Sequence, residues 1–590
     1  AAVVSSCLVS SHGYGARVVS RIYHGGRRAV YTATVAAMLA NNMALPAYGR
    51  TVQGGEVLSG ASIVGETVEN YGTTSNIKLS ALINYASSSI TGAEENIYSN
   101  GVANSTIVST HSVQNIYSGG IANAGRISGF INEYGGYYNG KAVQNIFDGG
   151  VASATRVGSC GSQHIFSGGV ADDSLISGVA KQEIHDGGIA NNTSLTIETG
   201  TINGSSPWQI ISSGGIANNT IIVRGSQIIS EGGIANTTNL SGGWQIVSAG
   251  GIANDTTLIS SGHQWVQGGV VSNTNILSTG TQYIGSGGSA IDTIVSNMGS
   301  QSVSGYAKNT SVYGRQIVDG ADSLANETYI MSGGKQIIGK SGTATNTVIS
   351  SGAQQEVEGI TSGAIVQYLG SQYINTQGHA FDTTIQGYQN VSSGGIASNT
   401  KIFAKGQQYV QGSAYDTTIS SGGIQSAASN GIAQLTTILS GAKQDVTWNG
   451  LVSQTSVSAG GIQKVRDHGN ATETIILQGG KQEITSGGKA ESTTISAGGS
   501  QSILSGGQAI STIISSAGSQ FIANGASADY TSVLSGGEQY ISTGGIANNN
   551  LILAGGVLHA EDGAIINGAE VSGEERISSG AISYNAVINP

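Results

Sequence analysis

The chain has 590 residues, of which 92 are glycine, three are proline and 6% are aromatic. Charged residues make up 10% of it, well below the roughly 25% of ordinary soluble domains. The net charge of −11 argues against nucleic acid as a partner, because nucleic-acid binding rewards a basic surface, and it disfavours binding to an anionic membrane surface.

The first fifty residues differ in kind from the rest. A pair of arginines precedes an apolar stretch from Ala29 to Leu45, which small residues follow. This pattern predicts a secretory signal with cleavage near Ala47; the alternative is a short buried helix. The segment before it is long and the chain does not begin with Met, so we expect the true start to be missing. We assign residues 1–49 to an extended signal segment and residues 50–590 to one repeat domain.

A glutamine recurs along the remaining chain at a nearly constant spacing. It occurs 23 times from Gln114 to Gln539, with Gln354 among them. Of the 22 intervals, 18 are 17 to 19 residues long and the last six are all 19. This regularity establishes an internal repeat.

One repeat is built of short strands. The unit that begins at Gln245 reads QIVSAGGIANDTTLISSGH, in which short runs with period-two alternation are separated by Gly-rich or Ser-rich turns. Such strands cannot bury a core alone, so each repeat must stack on its neighbours. We therefore predict an all-β fold, a right-handed parallel β-helix with about 19 residues per coil and roughly 23 or more coils.

The same unit predicts which side chains point inward. We expect Val247 and Leu258 in the core, together with the small Ala253. Gln245 shares the strand face of Val247, so we expect it at least half inward, with its amide bonded to the equivalent amide one coil away. The alternative is an exposed, solubilising glutamine. The Gly-Gly pairs are expected to supply positive φ angles at the corners.

Two intervals are longer than the rest and predict loops. One, of 30 residues, contains Tyr134, Tyr137 and Tyr138, and the other, of 27, ends at Pro207 and Trp208. Insertions into a solenoid become loops on one face. These loops either contact a partner or fill an imperfect coil.

The sequence offers no constellation of catalytic residues. Nine histidines are scattered and none pairs with another at metal-ligand spacing. We find no nucleophile elbow, no lysine of a phosphate-binding loop and no aspartate spacing of a calcium-binding β-helix. We therefore predict no catalytic, cofactor-binding or metal-binding residue, no cofactor and no enzymatic activity.

What remains is surface chemistry. We expect Asn219, Asn236 and Asn254, which follow successive "GGIA" phrases, to form a ladder. Ladders on two identical rods could pair through many hydrogen bonds, each worth about 1 kcal/mol net. The hydroxyl-rich ridges are places where sugar could be attached.

The repeat S-G-G-x-A-x-x-T-x-[IVL]-x-S-G-G-x-Q-x-[IV] resembles that of the AIDA-type autotransporter adhesins of enteric Gram-negative bacteria. It is present as SGGIANNTIIVRGSQII and as SAGGIANDTTLISSGHQWV, and the resemblance covers about Gln53 to Pro590. It implies a passenger domain that is secreted across the inner membrane, crosses the outer membrane through its own C-terminal barrel and is anchored on the cell surface. There it mediates host-cell adherence, self-association and biofilm growth. No barrel strands follow "SYNAVINP", so we expect the translocator to lie beyond the sequence.

The resemblance also implies that the chain is the acceptor of a dedicated heptosyltransferase, which adds heptose to repeat Ser and Thr. Carried over, the candidates are the serines directly before a glycine pair: Ser118, Ser167, Ser213, Ser241, Ser332, Ser393, Ser421, Ser486, Ser505 and Ser535. One alternative is that the chain serves mainly as this acceptor, with adhesion secondary. Another is a polysaccharide-processing β-helix enzyme or tailspike-like protein, which would need a carboxylate cluster, whereas acids such as Glu356 and Glu358 are sparse.

Overall fold

A computed structural model describes residues 49–84, 89–129, 140–197 and 206–589. The chain divides into two compact units, Ala1–Asn239 and Leu240–Pro590. Within the described residues every regular element is a strand, so the predicted all-β class is confirmed. None of these residues forms a helix long and apolar enough to cross a membrane. The predicted signal and its cleavage point lie outside the described residues.

A coil consists of three short strands and three corners, and in some coils the second and third strands are fused into one. In one coil of the first unit the glutamine strand Gly161–Ile165 is followed by an alanine strand, Val170–Asp172, and a closing strand, Leu175–Ser177. The next glutamine strand, Lys181–Ile184, pairs in parallel with the first, with Gln163 opposite Gln182. The two units together contain about 27 such turns, with parallel strands about 19 residues apart, which confirms the predicted β-solenoid. Its right-handed sense stays a prediction.

We name the corners by their place in the coil: the first follows the glutamine strand, the second lies between the alanine and closing strands, and the third precedes the next glutamine strand. In the described part of the first unit the strand at the glutamine position occurs nine times, at Arg50–Val52, Thr67–Asn70, Glu94–Ile97, Val113–Ile116, Ala142–Ile146, Gly161–Ile165, Lys181–Ile184, Trp208–Ile211 and Ser226–Ile229. The alanine and closing strands of this unit are Val57–Ser59, Ser62–Val64, Thr73–Ser75, Lys78–Ser80, Val102–Asn104, Ile107–Val108, Ile121–Asn123, Arg126–Ile127, Val151–Ser153, Arg156–Val157, Val170–Asp172, Leu175–Ser177, Ile189–Asn191 and Ser194–Thr196, and they are fused in Ile216–Ile222 and Ile234–Leu240. Leu82–Asn84 and Ser89–Thr91 form a separate antiparallel pair.

The second unit repeats this arrangement. Its described residues hold nineteen strands at the glutamine position, at Trp244–Ser248, His263–Gln267, Thr281–Ile284, Ser300–Val303, Arg315–Val318, Lys335–Ile338, Gln354–Val357, Ser371–Ile374, Tyr388–Val391, Gln407–Val410, Ile424–Ala427, Lys443–Val446, Ile462–Val465, Lys481–Ile484, Ser500–Ile503, Ser519–Ile522, Glu538–Ile541, Val557–Ala560 and Glu574–Ile577. Its alanine and closing strands are fused in Ile252–Leu258, Ser289–Val295, Tyr306–Val312, Leu324–Ile330, Ile396–Ile402 and Ser413–Ile419. They are separate in Val270–Ser272, Asn275–Ile276, Thr343–Thr345, Val348–Ile349, Ile360–Ser362, Ile365–Val366, His379–Phe381, Thr384–Ile385, Ile432–Gln434, Thr437–Ile438, Leu451–Ser453, Ser456–Val457, Asn470–Thr472, Ile475–Ile476, Lys489–Glu491, Thr494–Ile495, Gln508–Ile510, Ile513–Ile514, Ser527–Asp529, Ser532–Val533, Ile546–Asn548, Leu551–Ile552, Ile565–Asn567, Glu570–Val571, Ile582–Tyr584 and Val587–Ile588.

The core is a set of inward columns, one side chain per coil in each. In the coil that begins at Gln245, the glutamine, Val247, Ala253, Thr256 and Leu258 are all fully buried. The predicted inward positions of Val247, Ala253 and Leu258 are therefore confirmed. The Thr256 hydroxyl donates a hydrogen bond to the side-chain oxygen of Gln245 at 3.1 Å.

The glutamines form a continuous buried ladder within each unit. The side-chain amide of Gln264 donates to the side-chain oxygen of Gln245 at 2.7 Å, and the pattern is repeated coil after coil. The inward glutamine is thus confirmed. At one coil the expectation was wrong, because the ladder passes through Gln355, which bonds to Gln336 at 2.7 Å, and not through Gln354. Gln354 lies on the outward face, where its amide donates to Glu356.

The two glycines of a pair are required for different reasons. In the second unit Gly333 has φ +82°, as expected of a corner glycine, and open space where a side chain would be. A Cβ on Gly334 would lie 2.0 Å from the backbone oxygen of Val312, one coil before. The positive φ predicted for both glycines therefore holds for the first, whereas the second is glycine because two coils approach closely there.

Candidate functional site

All ten predicted acceptor serines are exposed and lie in corners. The structure divides them between two ridges, according to whether they follow or precede the ladder glutamine of their coil by four residues. The first-corner serines are Ser118, Ser167, Ser213, Ser393, Ser486 and Ser505, and the third-corner serines are Ser241, Ser332, Ser421 and Ser535.

At seven of the ten positions the serine hydroxyl faces a glycine one coil further on, namely at Ser118, Ser167, Ser213, Ser332, Ser421, Ser505 and Ser535. In the first unit a Cβ on Gly232 would lie 2.7 Å from the Ser213 hydroxyl oxygen, and in the second unit one on Gly555 would lie 2.6 Å from that of Ser535. Because these glycines carry no side chain, they leave the neighbouring hydroxyl uncovered.

The same geometry occurs at serines that the sequence pattern missed. Ser99 precedes Asn-Gly, Ser440 precedes Gly-Ala and Ser516 precedes Ala-Gly, so none stands before a glycine pair. All three are exposed in the same corners, and a Cβ on the glycine of the next coil would lie 2.8 to 3.0 Å from each hydroxyl oxygen. Ser440 and Ser516 precede the ladder glutamine of their coil by four residues, and Ser99 follows Glu95, which holds the same ladder position, by four, so this distance rather than the Gly-Gly pair marks their geometry.

An outward asparagine ladder exists, but one of its members differs from the prediction. In the first unit the Asn236 side-chain amide donates to Asn218 at 3.0 Å, and Asn218 donates to Asn191 at 2.9 Å. Asn219 lies instead at the second corner, with φ +55°, and donates to Asn192. The expected ladder was therefore misplaced by one residue there.

Beside this second corner runs a polar groove within the first unit, with a volume of about 400 Å³. Four coils contribute side chains at the positions directly after the asparagine ladder. Its lining residues are Asp173, Ser174, Leu175, Asn192, Ser194, Asn219, Ile221, Thr237 and Asn239. The groove offers amide and hydroxyl groups along the solenoid axis at the spacing of successive strands.

The loop predicted to end at Pro207 and Trp208 ends earlier than expected. Pro207 is buried, and Trp208 begins the strand Trp208–Ile211, where it pairs with Lys181 of the preceding coil. Trp208 therefore belongs to the regular coil rather than to an insertion. Tyr134, Tyr137 and Tyr138 lie outside the described residues.

Three metal-ligating side chains meet on the outward face of the first unit. The Nδ1 atom of His164 lies 3.0 Å from a carboxylate oxygen of Glu183 and 3.4 Å from Nε2 of His185. The hydrogen bond from His164 lowers the pKa of Glu183, and burial lowers the pKa of His185. The sequence spacing of the histidines did not indicate this group, and the absence of a metal-binding residue stays a prediction.

Sequence spacing concealed this cluster, because its two histidines are 21 residues apart. Counted from the ladder glutamine of each coil, His164 and Glu183 hold the same position, and His185 lies two residues further along. Positions in adjacent coils lie side by side in a parallel solenoid. Residue positions counted from the ladder glutamine would therefore have shown the cluster.

One of the two acids named for the enzymatic alternative, Glu356, forms an ion pair. The Lys335 ammonium nitrogen lies 2.7 Å from a carboxylate oxygen of Glu356. Glu356 thus pairs with a cation on the adjacent strand, and such cross-strand pairs stabilise the surface of a sheet.

No protein-family profile and no curated protein sequence matches the chain. Among solved structures it is similar to a TibC-catalysed, hyper-glycosylated fragment of TibA, with 34% identity over 51% of this chain and 97% of the fragment, and a TM-score of 0.39. The chain belongs to the TibA family. The identity and the coverage of the fragment carry this assignment, and they support the resemblance to AIDA-type autotransporter passengers.

Two other solved structures are similar to the chain at much lower sequence identity. The circular leucine-rich-repeat protein CroV588 is 10% identical over 87% of this chain and 88% of its own, with a TM-score of 0.15. The alginate lyase AlyGC is 10% identical over 94% and 99%, with a TM-score of 0.13. Likenesses of this kind give no argument about function.

Proposed function

We propose that the chain is the passenger of an autotransporter adhesin, displayed on the bacterial cell surface after secretion across the inner membrane and anchored at the outer membrane. In this proposal it is not an enzyme; it binds copies of itself on neighbouring cells and the surface of host cells. Its corner serines accept O-linked heptose from a heptosyltransferase of the TibC kind. The observation that carries the proposal is the 34% identity to a TibA fragment that TibC glycosylates.

The two serine ridges support the acceptor role. A glycosyltransferase needs an accessible acceptor hydroxyl, and a repeat presents the same exposed hydroxyl many times in one geometry. Ser213 and Ser535 have this geometry in the first and the second unit, each beside a glycine that leaves the oxygen open. We expect modification to be confined to such corner hydroxyls and absent from the fully buried threonines, such as Thr256.

The outward ladders support self-association. Within the first unit Asn191, Asn218 and Asn236 present one amide per coil, and the groove at the second corner lies beside them. Hydrogen bonds between two copies are each worth only about 1 kcal/mol, so their number must supply the affinity. A net charge of −11 spread over 590 residues opposes this pairing only weakly.

The acceptor role is tested by co-expression with a TibC-type heptosyltransferase. We expect the intact mass to rise by several heptose increments, and the rise to fall stepwise when the six first-corner serines or the four third-corner serines are replaced by alanine. A mass that stays unchanged on co-expression would contradict the acceptor role. A matched control replaces an equal number of half-buried strand serines, such as Ser302 and Ser502.

The adhesin role is tested separately, with cells that display the chain and cells that display only its anchor. We expect cells that display the chain to sediment in clumps and to bind cultured host cells. Both measurements are made with and without co-expression of the transferase. If cells with and without the chain settle and bind alike, the adhesin role is wrong even when glycosylation occurs.

A further inference from the structure

The strongest unassigned feature is the cluster of His164, Glu183 and His185, which we call the His-Glu-His cluster. Its three ligating atoms all lie within 4.8 Å of one another. The side chains are half-buried, with 24% exposure for His164 and 26% for Glu183, so each is supported by its neighbours and still reached by solvent. We propose that this cluster binds one divalent transition-metal ion of the Zn²⁺ class.

The distances fit such an ion. A tetrahedral Zn²⁺ has nitrogen and oxygen ligands at about 2.1 Å, which places the ligand atoms roughly 3.4 Å from one another. The separation between Nδ1 of His164 and Nε2 of His185 is 3.4 Å, and that between Nδ1 of His164 and the Glu183 oxygen is 3.0 Å. Two edges of the coordination polyhedron are therefore already formed.

The ring orientations are held by stacking. The ring of His185 stacks on Phe166 of the preceding coil, with centroids 4.7 Å apart and planes 8° apart. Phe166 in turn stacks on Phe147 at 5.0 Å, so His185 is the last ring of an aromatic column. The ring of His164 lies nearly parallel to that of His185, at 11°. Packing thus restrains both rings before any ion binds, which lowers the entropic cost of binding.

Proton counting gives an independent argument for a cation. The Glu183 carboxylate is an acceptor, and a neutral histidine presents a lone pair at one ring nitrogen. A single proton on Nδ1 of His164 can be donated to the Glu183 carboxylate or to Nε2 of His185, 3.4 Å away, so two acceptors compete for one proton. One divalent ion accepts a lone pair from all three atoms at once.

The donor set selects the kind of ion. Two imidazoles and one carboxylate suit Zn²⁺, Co²⁺, Ni²⁺ and Cu²⁺, whereas Mg²⁺ and Ca²⁺ require oxygen ligands. Because the cluster lies at the surface, a fourth position is open to water. The ion would link two adjacent coils of the first unit, since His164 belongs to one coil and the other two ligands to the next.

The test uses the full chain without an affinity tag. We expect titration with Co²⁺ to give one equivalent of bound ion with the visible absorption of tetrahedral Co²⁺, and Zn²⁺ to displace it. His164→Gln and His185→Gln should abolish this spectrum, whereas His263→Gln, which removes a half-buried histidine stacked on Trp244 elsewhere, should leave it unchanged.

A further variant keeps all three ligands. The charge of Lys181 acts on Glu183, so Lys181→Gln should raise the affinity for Zn²⁺ severalfold by removing a repelling cation. The far-ultraviolet circular dichroism of each variant checks the fold. The proposal is overturned if Co²⁺ gives no tetrahedral spectrum, if His185→Gln binds as tightly as the unsubstituted chain, or if Lys181→Gln binds more weakly.

Discussion

The side-chain amide of Gln114 donates a hydrogen bond of 2.8 Å to the carboxylate of Glu95, one coil before it. A glutamate thus occupies the position at which every later coil of the first unit has a glutamine. Glu95 is fully buried and also accepts hydrogen bonds from the hydroxyls of Thr74 and Thr106. The ladder of the first unit therefore begins with the one residue in it that can ionise.

Burial raises the pKa of Glu95, and the hydrogen bonds from Thr74, Gln114 and Thr106 oppose this only in part. A carboxyl with a raised pKa in the folded state favours folding when protonated. We therefore expect the first unit to lose stability as the pH rises from the unfolded value, about 4.3, through the folded pKa. The loss is about 1.4 kcal/mol for each unit by which the pKa is raised.

The measurement is the free energy of unfolding of the first unit against pH. Glu95→Gln should remove the slope and stabilise the unit at neutral pH, because its oxygen can still accept from Gln114. The matched control is Glu94→Gln on the half-buried outward neighbour, which should leave the slope in place. If the Glu95→Gln variant kept the same slope of unfolding free energy against pH, Glu95 would not be the source of that slope.

A second prediction concerns the middle of the ladder in the second unit. The side-chain oxygen of Gln463 accepts from Gln482 at 2.6 Å and from Thr474 at 3.2 Å, and its amide donates to Gln444 at 2.9 Å. Gln463→Leu leaves these groups buried without partners, and each unsatisfied group costs about 1–3 kcal/mol. We expect a loss of roughly 3 kcal/mol or more, seen as faster amide hydrogen exchange in the three coils around residue 463.

The control for this prediction is one residue away on the outward face. Lys464 pairs with Glu483 at 2.9 Å, and both are about one-third exposed. Lys464→Gln should cost less than about 1 kcal/mol, because exposed ion pairs contribute little. Equal effects of the two substitutions would mean that the ladder adds nothing beyond ordinary packing.

The sequence correctly predicted which side chains form the inward columns of the solenoid. It did not predict which outward side chains meet between adjacent coils. Val247 and Gln245 were placed correctly because period-two alternation and the 19-residue repeat each define a face. Asn219 was misplaced because the second corner adds a residue with positive φ, which alternation does not register. His164 and His185 were missed because their proximity depends on the coil register and on aromatic stacking, not on their spacing in the chain.

A third prediction separates the two roles of paired glycines, within a single turn. Gly333→Ala meets no atom within 4 Å and carries only the strain of a positive φ, about 1–2 kcal/mol. Gly334→Ala would put a Cβ 2.0 Å from the backbone oxygen of Val312, so two coils must separate. We expect Gly334→Ala to be the more destabilising by at least about 2 kcal/mol, measured by chemical unfolding of the second unit. The reverse order would mean that φ alone determines the need for glycine.

The last prediction rests on the proposed acceptor role and asks how the transferase selects serines. Ser421 and Ser535 precede a glycine pair, whereas Ser440 and Ser516 do not, yet all four have the same third-corner geometry. Since an enzyme contacts a hydroxyl and its surroundings in space, we expect all four to be modified to a similar extent. Site-resolved mass spectrometry after co-expression measures this, with the half-buried strand residue Ser502 as the unmodified control. Occupancy at Ser421 and Ser535 without Ser440 and Ser516 would show that the transferase reads the Gly-Gly sequence rather than the corner.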